Sequence, residues 1–310
     1  MKVAVTGAGG FLGSALCERL LAGGHSIVRL IRPQSRDRGS APPDAKAGVT
    51  TAEWDPGRGI VALDQLAGVE AVVHLAGESI AGGRWTEARK AAIRESRVAG
   101  TRALATVLAR LTPAPSTLVC ASAIGYYGDR GAELLDEKAA PGRGFLSEVC
   151  QAWEAAADPA RAAGVRVAHL RFGLILDPAG GALAKMLPPF RLGIGGRLGS
   201  GRQFMSWVSR SDVIGAILYA IATPALEGPV NVVAPGPTTN AEFTRCLSRA
   251  LGRPAWFPVP AAAIRLLFGE MGQELLLSST RVLPARLRET GFRFEDQELE
   301  GTLRELLARR

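Results

Sequence analysis

The chain has 310 residues, 47% of them hydrophobic, and a formal net charge of +8. That length accommodates a large α/β domain with a smaller one attached, and no apolar run approaches the roughly 20 residues that cross a bilayer, which argues against a membrane protein. The arginines are dispersed among acids without a basic tail or an aromatic–basic ladder, which reads as surface charge rather than a nucleic-acid face; part of it remains available to an anionic cofactor or substrate.

Met1-Lys2 leads directly into a strand pattern, so no signal peptide is expected. The four cysteines (Cys17, Cys120, Cys150, Cys246) form no C-x-x-C pair, and Cys17 and Cys120 fall in helix and strand patterns. Core thiols in a reducing cytoplasm explain them. The three histidines (His25, His74, His169) are far apart in sequence, so no metal site is expected. His74 and His169 lie in apolar runs and read as core or cleft residues.

The chain opens with Val3-Ala-Val-Thr6-Gly7-Ala-Gly9-Gly10-Phe11-Leu12-Gly13, followed at once by an apolar helical pattern (Leu16, Leu20, Leu21). A strand that ends in G-x-x-G-x-x-G before a helix makes a seat for a diphosphate. The first glycine permits the turn, the second admits backbone N–H groups to the phosphates, and the third packs helix on strand. Gly23-Gly24 stops that helix, and residues 27–31 read as strand two. Arg32 then follows Gly13 by 19 residues, with Arg36 and Arg38 close behind. An NAD site usually has an acid near that offset for the ribose 2′-hydroxyl, whereas a guanidinium forks onto a 2′-phosphate, so the reading favours NADP(H). Residues 33–48 form a polar loop rich in Pro and Gly, expected to be mobile. Strand three (49–54) ends in Asp55-Pro56-Gly57, where Asp55 either accepts from the adenine amino group or shapes the turn.

Strand four (69–76) is a continuous apolar run that ends at Gly77-Glu78, the strand edge where α/β sheets hold ligands. A long helix spans 86–111, with Val98, Thr101, Ala105 and Leu108 as its packing face and Pro113 and Pro115 beyond it. Strand five (117–121) runs into Ser122-Ala-Ile-Gly-Tyr126-Tyr127-Gly-Asp129, and a helix over 145–157 precedes strand six (165–170). Six such strands alternating with helices predict a doubly wound parallel sheet of the Rossmann type with a smaller C-terminal substrate lobe. The expected division is 1–176 for the nucleotide-binding domain, rejoined by 208–234, with 177–207 and 235–310 on the substrate side. The stretch 177–207 is rich in Gly and Pro. Its Arg191, Arg197, Arg202 and Trp207 are placed over the nicotinamide end, where arginines suit a carboxylate or phosphate, although solvated loop arginines explain them equally well. A helix over 213–222 opens with Asp212, read as its N-cap. Thr239-x-x-Glu242 is a capping box, and a final amphipathic helix covers 297–307.

Thr6-Gly7-x-x-Gly10-Phe11-Leu12-Gly13, His74-Leu75-Ala76-Gly77, Val98-x-Gly100-Thr101 and the strand-five serine together resemble an extended short-chain dehydrogenase/reductase. Gly77-Glu78-Ser79-Ile80, Arg84-Trp85-Thr86, the segment 122–129, Met186-Leu-Pro-Pro-Phe-Arg-Leu-Gly193, Gly199-Ser-Gly-Arg-Gln203 and Arg281-Val-Leu-Pro-x-Arg-Leu-x-x-x-Gly-Phe292 narrow the resemblance. They are similar to the NAD-dependent epimerase/dehydratase-like proteins with a C-terminal domain of unknown function (YfcH-like). The resemblance covers essentially the whole chain. It implies an extended Rossmann fold with bound NADP(H) and a small-molecule substrate, and leaves the protein a monomer or a homodimer. The cofactor positions it implies are Thr6, Gly7, Gly10, Phe11, Leu12, Gly13, Leu75, Ala76, Gly77 and Ser122, beside Arg32 and Asp55.

Extended short-chain dehydrogenases use a Tyr as acid/base, a Lys four residues on that lowers its pKa, a Ser that polarises the carbonyl and an Asn in the proton relay. A phenol of pKa near 10 needs such a cation to exchange protons at neutral pH. Ser122 fits the serine role, but Phe145 and Val149 stand where Tyr-x-x-x-Lys is expected and Arg97 stands at the relay position. Two readings follow. In one, an oxidoreductase or epimerase-like enzyme works with Tyr126 or Tyr127 as proton donor, Arg97 as the cation and Glu78 as a further acid/base. In the other, the chain binds NADP(H) without turnover, as a redox-sensing or interaction protein. Fold-level analogy favours the first.

Overall fold

The structure, a computed structural model, describes residues 1–32, 47–56, 59–60 and 63–308. Arg36, Arg38 and nearly all of the expected 33–48 loop lie outside these, as does Gly57.

Seven parallel strands form the sheet: β1 (Lys2–Thr6), β2 (Ser26–Ile31), β3 (Val49–Asp55), β4 (Ala71–His74), β5 (Thr117–Ala123), β6 (Arg166–Phe172) and β7 (Gly228–Val232). Their spatial order is 3-2-1-4-5-6-7, and the two-residue strand Gly59–Ile60 runs antiparallel along β3. The principal helices are α1 (Phe11–Ala22), α2 (Glu87–Leu108), α3 (Phe145–Ala155), α4 (Gly181–Arg191), α5 (Arg210–Ala222), α6 (Asn240–Leu251), α7 (Ala261–Phe268) and α8 (Leu299–Ala308). No helix among the described residues is long and apolar enough to cross a membrane.

Side chains alternate across a strand, so each face of the sheet needs its own helical cover. Val3, Val5, Ile27, Val73 and Val119 face one way and bury against Leu16 and Leu20 of α1 and Val213, Ile217 and Ala220 of α5. Ala4, Val28, Leu30, Val72 and Leu118 face the other way, onto Leu104, Ala105 and Leu108 of α2. Each fully buried Leu, Ile or Val contributes about 1.5–3 kcal/mol. Strand order reverses between β1 and β4, and at such a switch point the strand ends leave a ligand crevice.

A third cluster joins Leu183, Leu187 and Phe190 of α4 to Phe243 and Leu247 of α6 and Leu299, Leu303 and Leu306 of α8. The Gly/Pro-rich stretch 177–207 therefore contains a helix, with Pro188 and Pro189 inside it. Each proline removes a helical N–H, and the burial of three large apolar side chains outweighs that loss. Trp207 is corrected by the same cluster. It is fully buried there, its indole N–H donating to Gly236 O at 3.2 Å, and does not cover a nicotinamide. Asp212 is not the N-cap of α5. Ser209 caps that helix, and the buried Asp212 carboxylate accepts the N–H groups of Glu295 (2.8 Å) and Asp296 (3.0 Å), pinning the C-terminal segment to the sheet domain.

His74 and His169 are both buried, and burial pushes each from 6.5 down to about 4. With a folded pKa below the unfolded one, the unfolded chain binds more protons between these values. Stability is therefore complete above about pH 6.5 and falls as pH drops toward 4, by up to roughly 3 kcal/mol per histidine. Urea unfolding at intervals across that range should show the slope, and His74→Gln should flatten it. Equal slopes in the two proteins would refute the assignment.

Candidate functional site

The turn after β1 is shaped by close approach. Gly7 has φ +67°, and a Cβ there would lie 3.0 Å from the backbone of Leu75 and Ala76 at the end of β4. A Cβ on Gly13 would lie 2.1 Å from Gly7 O, so only glycine lets α1 start against the strand. Gly10 N donates to Gly7 O at 2.8 Å. Gly9 and Gly10 are exposed, α1 has no side-chain cap, and its first turn carries no acid. Its leading N–H groups thus face the crevice with the positive end of the helix dipole behind them.

Thr6 lies beneath this seat and is fully buried. Its hydroxyl accepts the N–H groups of Leu75 (3.1 Å) and Ala76 (3.2 Å) and bonds His74 Nδ1 at 2.7 Å, clamping the ends of β1 and β4 together. Phe11 and Leu12 are half-buried. The Phe11 ring fills the space a side chain at Gly180 would take, with the Arg210 guanidinium 5.1 Å from its centroid. Arg32 is exposed just past the end of β2, and Asp55 is half-buried at the end of β3.

Beyond β4, Leu75 and Ala76 are half-buried and Gly77 is exposed. The Arg97 guanidinium lies against Gly77, 3.4 Å from where its Cβ would be, stacks 5.0 Å from the centroid of Trp153 and donates to Ile93 O. Burial works against its charge. Glu78 is paired with Arg89 at 3.3 Å, and its backbone N–H donates to Ser96. Gly100 packs beside Pro56 and Trp54, and Thr101 accepts the Trp153 indole N–H at 2.9 Å. That motif on α2 is packing chemistry.

The strand-five motif is largely interior. Register aligns Ser122 of β5 with Arg171 of β6, and Arg171 with Asn231 of β7. Ser122, only 3% exposed, donates to Glu154 Oε1 at 2.7 Å, and Arg171 grips both oxygens of Glu154 at 2.8 Å. Arg171 also donates to the Tyr127 hydroxyl at 2.9 Å, and Tyr127 donates to Asn231 Oδ1 at 2.8 Å. Tyr127 is 0% exposed and burial pushes its phenol up to about 12, so it is out of reach of a bound molecule and holds its proton. Tyr126 is half-buried, with the Arg171 guanidinium 3.4 Å from its ring centroid. Sequence reasoning passed over Arg171 and Glu154. The available signal was an arginine inside the apolar run Val-Ala-His-Leu-Arg-Phe, since a cation on a buried strand requires an acid.

The start of α3, where the resemblance implies a Tyr-x-x-x-Lys pair, has other company. The Phe145 ring meets Trp85 edge-on at 5.0 Å and lies 5.4 Å below Lys90 Nζ. Lys90 bonds Glu270 at 3.0 Å and Glu87 at 3.2 Å. Glu274 accepts the N–H groups of Phe145 (2.8 Å) and Leu146 (2.9 Å), and burial raises its carboxyl pKa. Two acids from the C-terminal lobe thus bear on this position. Only tertiary packing brings Trp85, Lys90, Glu270 and Glu274 to this end of α3. Farther out, Arg197 lines a cavity of about 450 Å³ with Arg245, Thr244, Ser248 and Trp256. Arg191 and Arg202 are exposed, Arg191 in the last turn of α4, where the dipole favours a cation.

Comparison with known proteins agrees with this architecture. Residues 3–234 match the NAD dependent epimerase/dehydratase family, and residues 259–306 match a domain of unknown function, DUF1731. The epimerase family protein Mb2239 of Mycobacterium bovis is 42% identical over 301 residues, covering 97% of this chain and 96% of that protein. The crystal structure of human epimerase family protein SDR39U1 (isoform 2) with NADPH superposes with a TM-score of 0.85 at 32% identity, covering all of both chains. A nucleoside-diphosphate sugar epimerase from Corynebacterium glutamicum gives a TM-score of 0.78 at 36% identity, over 99% of this chain and 58% of that one. With a dinucleotide-type glycine turn at its sheet reversal and this agreement along its length, the chain belongs to the NAD-dependent epimerase/dehydratase family, with a DUF1731 domain at its C-terminal end.

Proposed function

We propose that the chain binds NADP(H) across the glycine turn and works as an oxidoreductase or epimerase-type enzyme on a small anionic, nucleotide-linked molecule. The observation that carries this is the seat itself: glycines at 7 and 13 that tolerate no side chain, ahead of a helix whose first amides face the crevice. The residues fit the cofactor. Gly7, Gly10 and Gly13 with the α1 amides would hold the pyrophosphate, Arg32 the 2′-phosphate side, and Leu75, Ala76 and Gly77 the far wall. The NADPH in the human relative's structure and the name of the Corynebacterium protein support cofactor and substrate class. When bound, the nicotinamide supplies hydride transfer.

The chain's own residues supply charge and protons. Arg97, held at Gly77 by Trp153, places a positive field at the strand edge. Tyr126 and Glu78 are the part-exposed proton-carrying groups of the sequence-derived set, whereas Ser122 and Tyr127 position this face from within. Purified protein should bind NADPH more tightly than NADH by calorimetry, and convert at least one member of a nucleotide-sugar panel, followed by chromatography of the sugar products. Tyr126→Phe and Arg97→Met should each lower kcat by about a hundredfold if they act at the reacting centre. The replacement of the usual pair by Phe145 and Val149 favours a second reading, NADP(H) binding without turnover. Tight NADPH binding with no conversion across the panel would select it.

A further inference from the structure

We infer that Arg29, in the middle of β2, grips the adenosine 2′-phosphate and selects NADP(H) over NAD(H), an inference that rests on the nucleotide-binding reading above. Arg29 pairs in register with Val5 of β1 and Thr51 of β3. Ile27, two residues earlier on the same side of the strand, buries in the cluster shared with α1, so Arg29 also projects on the α1 face. Its charge is felt there by Cys17 of α1. The guanidinium ends beside the glycine turn, with Nη2 3.9 Å from where a Cβ on Gly9 would stand. Among the described residues no acid forms an ion pair with it. A half-buried cation on a strand face is costly without a counter-charge, and here it is aimed at an exposed turn that offers no side chain of its own.

The position distinguishes the two anionic groups of the cofactor. The pyrophosphate is the charge that the first amides of α1 address, and it is common to NADPH and NADH. A group rising from β2 meets the adenosine ribose, which in this architecture lies toward that strand. There a guanidinium fork bonds a phosphate dianion in two places, whereas a 2′-hydroxyl offers it no charge. Arg32 stands exposed just past the end of the same strand.

Calorimetry on the full chain with NADPH, NADH, 2′,5′-ADP and 5′-AMP tests this in wild type, Arg29→Gln and Arg29→Lys, with thermal melting of the unliganded proteins as the folding control. Arg29→Gln should weaken NADPH and 2′,5′-ADP by about tenfold to a hundredfold, and leave NADH and 5′-AMP within about threefold. Arg29→Lys, which keeps the charge and loses the fork, should fall between. Equal weakening of NADPH and NADH, or no weakening of either, would overturn the inference. A wild type that binds neither dinucleotide would overturn the cofactor reading instead.

Discussion

Arg171→Gln is expected to destabilise the protein by about 3–5 kcal/mol, because it leaves the Glu154 carboxylate in the interior without its counter-ion, held only by the Ser122 hydroxyl. The two side chains are only 3% and 13% exposed. Burial works against the guanidinium, but the bonds and charge of Glu154 outweigh it and raise the Arg171 pKa. Tyr127 loses a donor at the same time, since its hydroxyl accepts from Arg171. The urea midpoint should therefore fall sharply, and Arg171→Gln with Glu154→Gln should be milder than Arg171→Gln alone, because no unpaired charge remains. An unchanged midpoint in the single variant would show that the network does not hold the sheet. The Tyr126 ring rests under the same guanidinium.

Gly13→Ala should abolish nucleotide binding to within detection, a loss of about a hundredfold or more. The new Cβ would lie 2.1 Å from Gly7 O, 2.7 Å from Gly7 C and 2.8 Å from Ala8 Cα, all backbone atoms that no rotamer change can move. Helix α1 must then shift off the strand, which costs about 1–3 kcal/mol of overpacking and misaligns the amides meant for the pyrophosphate. Gly236→Ala is the matched control. Its Cβ would meet nothing closer than Gln297 O at 3.7 Å, so NADPH affinity should change by less than about threefold. Calorimetry of both variants decides the point. A Gly13→Ala protein with wild-type affinity would mean that the seat is elsewhere.

The parts of the fold that depend on near neighbours in sequence could be read directly. The long helix expected over 86–111 is α2, with Thr86 as its N-cap accepting the N–H of Arg89. The capping box of Thr239 and Glu242 opens α6 as its spacing requires. Boundaries moved where tertiary contacts rule. The expected strand 69–76 is hydrogen-bonded only over Ala71–His74, and the expected helix 145–157 ends at Ala155 before a separate short helix, Asp158–Ala162. Prolines and glycines in 177–207 concealed α4, because its stabilisation comes from side chains of α6 and α8.

By itself the sequence determined the alternation of strands and helices, the parallel sheet and the glycine turn at its first crossover. Each follows from periodicity and from backbone freedom within a dozen residues. Only the tertiary structure decided which polar residues face a ligand and which face the core. Ser122 and Glu154 are 32 residues apart, Arg171 and Glu154 17, and Tyr127 and Arg171 44. Strand register and the seating of α3 turn them into one buried network. A serine and two tyrosines in a strand-end loop look alike in sequence whether they serve catalysis or packing. Their hydrogen-bond partners come from other strands, and those partners set which way each hydroxyl points.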